Sequence, residues 1–195
     1  MAYATLAQLR AYLKLGAIET ADDALLADLL VRAQQAIDTY CARTFEASVD
    51  STRYFDAERD VDGYRLLLDT DLCAITSVVN GNGETIASTD YVTEPRNRTP
   101  YYAIILKASK GNVWEYDDDP ENAIAITGKW AYSITAPADI THACIRLAAF
   151  MYRQKDSQSD VDRPLITGDG VTILPSALPR DVQQLLLPYR RVVFG

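Results

Sequence analysis

The spacing of apolar residues divides the chain into a helical beginning, a β-rich middle and a helical end. Over residues 5–43 the apolar side chains recur every three or four positions, which predicts two amphipathic helices. Over residues 50–133 this period is lost, and short runs of β-branched and aromatic residues alternate with turn signals, which predicts strands. The helical period returns near residue 137. The pattern therefore predicts an α+β protein with a β region inserted into a small helical bundle.

The first two helices carry recognisable end signals. Thr5 and Gln8 have the spacing of a capping box, and Gly16 stands where a left-handed C-terminal stop is expected. The second helix is expected to begin near Thr20, with the acidic residues 22–23 in its positive first turn. Its apolar stripe consists of Leu26, Leu29, Leu30, Ala33, Ile37 and Cys41. Because a helical hairpin alone leaves this stripe uncovered, we expect another helix to pack on it.

The middle of the chain is predicted to be a mostly antiparallel β region. Its strand-like stretches include TRYFDA, YRLLLD, AITSVV, DYVTE and YAIILKA. Residues 80–83 read Asn-Gly-Asn-Gly, which is typical of a hairpin turn because Asn-Gly supplies positive φ angles. We therefore expect a helical domain made of residues 1–49 and 134–195, and a separate inserted β region of residues 50–133.

A long central helix is predicted to follow the β region. Pro137 is expected at its first helical position. The apolar residues that then recur at helical spacing are Ile140, Cys144, Leu147 and Met151, over about five turns. With the two N-terminal helices and a short C-terminal helix, this helix completes the predicted bundle.

The last forty residues are predicted to hold a loop and a short helix. Residues 155–178 show no sustained period, and loops of that length are usually functional or disordered. A helix is predicted over residues 179–187, and it is expected to stop at Pro188, because proline cannot continue the hydrogen-bond ladder.

Charge and cysteine content argue against nucleic-acid-binding and disulfide-rich secreted proteins. The formal net charge is −8, which argues against broad binding to nucleic-acid phosphates. The three cysteines are odd in number and form no CxxC pair, so free, mostly buried thiols in a reducing cytosol are expected. No apolar run approaches 18 residues and no charged-then-apolar leader is present. We therefore expect a protein without a membrane anchor or secretion signal.

Catalytic motifs are not found in the sequence. His142 is the single histidine, and it shares a predicted exposed helix face with Arg146, Ala149 and Arg153. No GxSxG, HExxH or P-loop spacing occurs. We therefore predict neither an enzyme nor a bound cofactor.

Two further candidate sites are weak. The acidic run 117–121 lacks the alternating ligand spacing of a calcium loop, so a solvated hairpin loop is predicted and no metal site. A carboxylate hydrolase would have to use this same cluster. Residues 168–170, Gly-Asp-Gly, are too short for a nucleotide-binding fingerprint.

The C-terminal stretch LLLPYRRVVFG has a composition unlike the rest of the chain. Residues 179–195 contain three arginines and one aspartate, a balance of +2 that leaves −10 on the remainder. Chain ends are normally frayed and polar unless something binds them. The leucines 185–187 are candidates for the protein's own core, whereas Tyr189, Arg190 and Arg191 are candidates for contact with another protein.

The helical segments resemble a known family. PADITHACIRLAAFMYRQKD (residues 137–156) and LPRDVQQLLLPYRRVVF (residues 178–194) resemble the small tailed-bacteriophage head–tail connector proteins, also called adaptors. The opening YATLAQLRAYLKL and the stretch LLADLLVRAQQAIDTYCARTF resemble the first two helices of that family. The inserted β region departs from its short members and is similar to the insertions of longer ones.

The resemblance implies a structural virion protein without catalysis. Such an adaptor is made in the host cytoplasm. It is expected to form a dodecameric ring between the portal of the DNA-filled capsid and a stopper or tail-completion protein. DNA would pass through the lumen without sequence-specific binding. Carried onto this chain, the portal-binding residues are Leu186, Leu187, Pro188, Tyr189, Arg190 and Arg191. The alternative is a non-viral or host-factor binding module whose β region captures a ligand or a protein.

Overall fold

The computed structural model describes residues 3–155, 165–166, 172–173 and 178–191. The chain forms two compact units. One unit combines Met1–Ala42 with Pro137–Gly195, and the other is Arg43–Ala136. The first is helical and the second is built from antiparallel sheets, so the predicted α+β class is confirmed. That these units are independent domains with the predicted boundaries remains a prediction.

The first helix, α1 (Leu6–Leu13), begins with the predicted capping box. The amide of Gln8 donates to the Thr5 hydroxyl at 3.2 Å, and the Thr5 amide donates to the Gln8 side chain at 2.8 Å. The predicted stop at Gly16 is wrong, because Lys14 takes the left-handed conformation with a φ of 60°. A non-glycine residue accepts this conformation at a cost of about 1–2 kcal/mol, and the amide of Lys14 gains a bond to the Ala11 carbonyl there.

The second helix, α2 (Asp23–Cys41), begins three residues later than predicted. Its predicted apolar stripe is confirmed, since all six of its members are buried. The helix ends at Ala42, which adopts a left-handed conformation with a φ of 52°. Burial of the stripe against the other helices of this unit is the main source of its stability.

The central helix, α3 (Ala138–Lys155), contacts α1 and α2. Pro137 precedes the helix and accepts the first intrahelical bond, from the Thr141 amide at 3.0 Å, so its predicted place inside the helix is wrong by one position. His142 is exposed as predicted, whereas Ala149 is buried and does not belong to the exposed face. The helical spacing of apolar residues in α3 does not by itself tell its buried faces from its exposed face, because other helices cover α3 on more than one side.

The segment predicted as an irregular loop contains a short ladder. Strands β8 (Leu165–Ile166) and β9 (Thr172–Ile173) pair in antiparallel orientation. Two-residue strands are too short to produce a readable period. Lys155, the predicted start of the loop, is the last residue of a helix, and Leu178 is also described. Residues 156–164, 167–171 and 174–177, which include 168–170, lie outside the described residues.

The last helix, α4 (Arg180–Leu186), packs on α3. A 3₁₀ turn, Leu187–Tyr189, follows it directly. The α-helix ends before Pro188, as the sequence predicts, and Pro188 lies within the 3₁₀ turn. Proline is tolerated in a first helical turn because its missing N–H would have no intrahelical partner there.

The β unit contains two antiparallel sheets. The three-stranded sheet has the order β1 (Ser51–Phe55), β7 (Ile124–Lys129), β4 (Ala74–Val79). The four-stranded sheet has the order β2 (Val61–Asp62), β3 (Arg65–Leu72), β6 (Tyr101–Leu106), β5 (Tyr91–Glu94). Every described pairing between these strands is antiparallel, which agrees with the predicted topology class.

One hydrophobic core holds this unit together. Side chains from both sheets contribute to it, among them Phe55, Leu66, Leu72, Ile104, Ile124 and Ile126. Trp130 packs on Phe55 with 5.8 Å between ring centroids, and its indole N–H donates to the Ser51 carbonyl at 2.9 Å. The alternation of buried and half-buried residues along β7 is the period expected of a strand with one covered face.

The Asn-Gly-Asn-Gly segment forms the predicted turn. The Asn80 amide donates to the Glu84 carbonyl at 2.8 Å, and Gly83 has a φ of 81°. Gly81 serves a different purpose, since a Cβ there would lie 2.4 Å from the Glu115 carbonyl oxygen. Glycine is required at this position because two backbone segments meet.

Candidate partner-binding site

The C-terminal segment 186–191, which holds all the predicted partner-binding residues, packs on the helices of its own unit. Leu186 is 0% exposed and belongs to the core together with Val182. Burial of a leucine contributes roughly 1.5–3 kcal/mol. In this conformation Leu186 therefore stabilises the helical unit and presents no surface to another protein.

Residues 189–191 are held by three contacts to α2 and α3. The Tyr189 hydroxyl donates to Oδ2 of Asp139 at 3.1 Å. The guanidinium of Arg190 lies 5.2 Å from the ring centroid of Tyr40. The amide of Arg191 donates to the carbonyl of Cys41 at 2.9 Å. The segment is thus docked at the C-terminal end of α2 and the N-terminal end of α3.

The segment supplies a hydrogen-bond donor at the C-terminal end of α2. The last carbonyls of a helix lack intrahelical partners and carry the negative end of the helix dipole. The Arg191 amide bonds to one of them, at Cys41, the final residue of α2. Sequence reasoning missed this anchor and the partners Tyr40 and Asp139, because each lies far from the C-terminus along the chain.

The exposed part of the segment is small and mixed in character. Leu187 is 60% exposed, and Pro188 and Arg190 are also exposed. Tyr189 and Arg191 are half-buried. The structure therefore separates the six predicted residues into a buried anchor, a docked pair and three exposed side chains.

Two hollows are lined in part by residues of α4. One, of about 390 Å³, is lined by His142, Arg146, Asp181, Gln184 and Leu185. The other, of about 260 Å³, is lined by Tyr40, Arg180, Gln183, Gln184 and Leu187. In the first hollow Arg146 and Asp181 form an ion pair. Both hollows are open surface features.

The three cysteines are buried in the two units. Cys41, Cys73 and Cys144 are all free and buried, as predicted. Burial raises the pKa of Cys144 to about 12 and also raises the pKa of Cys73. The thiolate, which is the reactive form, is therefore strongly disfavoured at Cys144 at neutral pH.

Two other candidates from the sequence, His142 and the acidic run 117–121, lie in the described part of the chain. His142 is exposed and its ring contacts Tyr12 edge-on, with 6.4 Å between centroids. Residues 117–119 and Glu121 are exposed, in agreement with a solvated loop. Across the part of the chain that the structure describes, no three histidine, cysteine or acidic side chains are grouped so as to hold a metal ion.

None of the helices in the described part of the chain is long and apolar enough to cross a membrane.

Comparisons with known proteins agree with the resemblance seen in the helical segments. The profile of the head completion protein family matches residues 4–192. The search of curated proteins found no match. Because the family match extends across both compact units, the β region is part of the family's own sequence pattern.

Three solved structures of particle components share the fold. A chain from the neck of an empty gene transfer agent particle, computed with C6 symmetry, aligns with a TM-score of 0.62 and 21% identity, covering 99% of this chain and 93% of that one. A chain from the virion of a native gene transfer agent particle aligns at 0.54 with 22% identity and the same coverage. A chain from the neck of a native particle, computed with C12 symmetry, aligns at 0.55 with 20% identity, covering 97% and 91%. The chain belongs to the head completion protein family.

Proposed function

We propose that this chain is a structural virion protein, a head–tail connector that lies in the neck of a phage-like particle. The observation that carries the proposal is the family match over residues 4–192, which includes the helical ends and the β unit. Further support comes from the fold shared with neck chains over 97–99% of this chain. The protein acts by binding other proteins and does not act as an enzyme.

Ring formation is part of the proposal. The neck structures that share this fold were computed with C6 and C12 symmetry, which describes those particles. A closed ring of identical chains requires a contact between two different surfaces of the same chain. We expect twelve copies, because the connector proteins that the chain resembles imply a dodecameric ring and one of those necks was computed with C12 symmetry.

The exposed patch of Leu187, Pro188 and Arg190 is the proposed contact with the portal. Covering one exposed leucine contributes roughly 1.5–3 kcal/mol before the cost of ordering the side chains. Such a contact is weak for a single chain. Repetition around a ring raises the effective concentration of each further contact, so weak patches give stable attachment.

The acidic composition supports a passive role towards DNA. The chain outside residues 179–195 carries −10, and phosphate binding depends on many lysine and arginine contacts. A ring with an acidic lumen would let DNA pass without holding it. A measured salt-dependent affinity for duplex DNA in assembled rings would contradict this part of the proposal.

Complementation of particles that lack the chain tests the function. Wild-type protein should restore tailed particles, while Leu187→Asp combined with Arg190→Glu should yield heads without tails. The matched control is Val31→Asp with Arg32→Glu, which makes the same charge change on the exposed face of α2. Point variants are preferable to deletion, because residues 189–191 also hold α2 and α3.

The outcomes separate the alternatives. If both variant pairs restore tailed particles, the patch 187–190 has no part in attachment. If tailed particles form equally well without any copy of the chain, the connector function itself is wrong. That result would favour the other hypothesis, a module whose β region captures a ligand.

A further inference from the structure

The β unit has two sheets and therefore four edges, and two of these edges are protected. On β4 the edge is covered, since the Ile86 amide donates to the Val78 carbonyl at 2.9 Å and Thr85 bridges to Val79. The edge at β2 is only two residues long. Covering an edge or shortening it prevents unwanted pairing with another chain.

The other two edges, β1 and β5, are longer and open. Strand β1 pairs with β7 alone and β5 pairs with β6 alone. Within the described parts of the chain, no backbone hydrogen bond covers the outer side of residues 52–54 or 91–94. The indole of Trp130 bonds the carbonyl of Ser51, at the very start of β1. Open edges of four or five residues are templates for strand addition.

Neither open edge carries a free charge that would repel an added strand. The Arg53 guanidinium is bound to Asp69 at 2.8 Å and stacks on Trp130. The Glu94 carboxylate is paired with Arg65 at 2.7 Å. Outward positions on β1 include Tyr54, which is 60% exposed and neutral. A guarding lysine, the common protection of edges, is missing from both strands.

The segments that follow the two strands have opposite charge. Residues 56–62 follow β1 and contain four acidic residues and one arginine. Residues 95–100 follow β5 and contain two exposed arginines and no acidic residue. Parallel pairing of β1 from one copy with β5 from another would place these two segments side by side.

We propose that β1 of one copy of this chain binds β5 of the next copy, forming a sheet across the subunit boundary. The two edges are different surfaces of one chain, so their contact is heterologous and repeats from copy to copy, as a ring requires. This inference rests on the proposed ring and specifies which surfaces close it. Its partner is a second copy of this chain.

Cross-linking of engineered cysteines tests the pairing. Full-length Tyr54→Cys chain and Val92→Cys chain are mixed over a concentration series and treated with a short bis-maleimide. The native thiols are buried and should not react. A heterodimer should form in the mixture and not from either chain alone, and the double variant should give a ladder. A mixture of Val31→Cys and Val92→Cys chains is the control, because Val31 is exposed on α2.

Charge reversal adds a second, independent readout. Glu58→Arg with Asp62→Arg in the β1 cysteine chain should lower the cross-link yield severalfold. Arg96→Glu with Arg98→Glu in the β5 cysteine chain should do the same. Mixing the two reversed chains should restore the yield, because the signs are again opposite.

Several outcomes would overturn the inference. The first is a cross-link yield no higher than that of the control mixture. The second is a loss of cross-link yield that is not restored when the two charge-reversed chains are mixed. The third is cross-linking of β1 to another particle protein in place of a second copy. If the chain enters particle necks but the cross-link is absent there, the edge pairing is wrong and the connector function stands. If the chain never enters the neck, the connector function fails instead.

Discussion

The backbone amide of Arg191 donates a hydrogen bond to the carbonyl oxygen of Cys41, with 2.9 Å between the two atoms. This bond joins the C-terminal segment to the last residue of α2, which is 150 positions earlier in the chain. A stretch that reads as a loose terminal extension is therefore part of the helical unit up to residue 191. Its exposed patch is presented from a fixed position.

Replacing Arg191 with proline should destabilise the protein, because proline has no N–H to donate to Cys41. Loss of one such bond costs about 0.5–1.5 kcal/mol. Urea denaturation followed by circular dichroism would measure the change. Arg191→Ala keeps the amide and serves as the control, so equal losses in both variants would show that the backbone bond contributes nothing.

Leu186 and Leu187 should respond very differently to truncation. Leu186→Ala leaves a cavity in the core, and such changes cost about 2–5 kcal/mol. Leu187 is exposed, so Leu187→Ala should change the free energy of unfolding by less than about 0.5 kcal/mol. Its effect should fall on the proposed contact with the portal. Comparable destabilisation by the two variants would contradict the burial seen here.

Asp38 should make the folded protein less stable as pH rises, whereas most carboxylates have the opposite effect. Burial raises its pKa above the ordinary 3.8, against the opposing effect of the hydrogen bond from Tyr3. The folded state therefore binds the proton more tightly than the unfolded state. The contribution of Asp38 to stability is largest below pH 3.8 and is lost as pH rises through the higher folded pKa.

The variant Asp38→Asn tests this linkage, because asparagine does not titrate. Its stability relative to wild type should improve as pH rises from about 3 to 7. Thermal denaturation at a series of pH values would measure the difference. A difference that stays constant over this range would show that the pKa of Asp38 is the same in both states.

The three thiols should not react with a thiol reagent until the protein unfolds. Cys41, Cys73 and Cys144 are buried, and burial raises the pKa of Cys144 to about 12. A colorimetric disulfide reagent at pH 8 should therefore detect thiols only after denaturant is added. Rapid reaction of one thiol in the native protein would point to local opening of the element that contains it.

The sequence and the structure agree most closely where local signals are strong. The capping box at Thr5, the buried stripe of α2 and the turn at residues 80–84 were all predictable, because neighbours along the chain produce them. One error is local, because Lys14 ends α1 in place of Gly16 and its amide bonds to the nearby Ala11 carbonyl. Another depends on tertiary contacts, because Ala149 is covered where α3 is packed on more than one side.

The candidate site shows the same division. Composition marked residues 179–195 as basic on an acidic chain, and the resemblance to connector proteins pointed to segment 186–191 within it. Which of its side chains are free for a partner could not be read from the sequence. Leucines 186 and 187 are adjacent and identical, yet one is 0% and the other 60% exposed, because a helix turns neighbouring side chains towards different surroundings.

By itself the sequence determined the α+β class, the two helical ends around an inserted β region, the free thiols and the resemblance to connector proteins. These follow from periodicity, composition and motif order, which are properties of neighbouring residues. Only the tertiary structure decided that Arg191 bonds to Cys41 and Tyr189 to Asp139, and that β1 and β5 are open edges. Contacts between residues far apart in sequence depend on how the elements pack, and no local pattern encodes that packing.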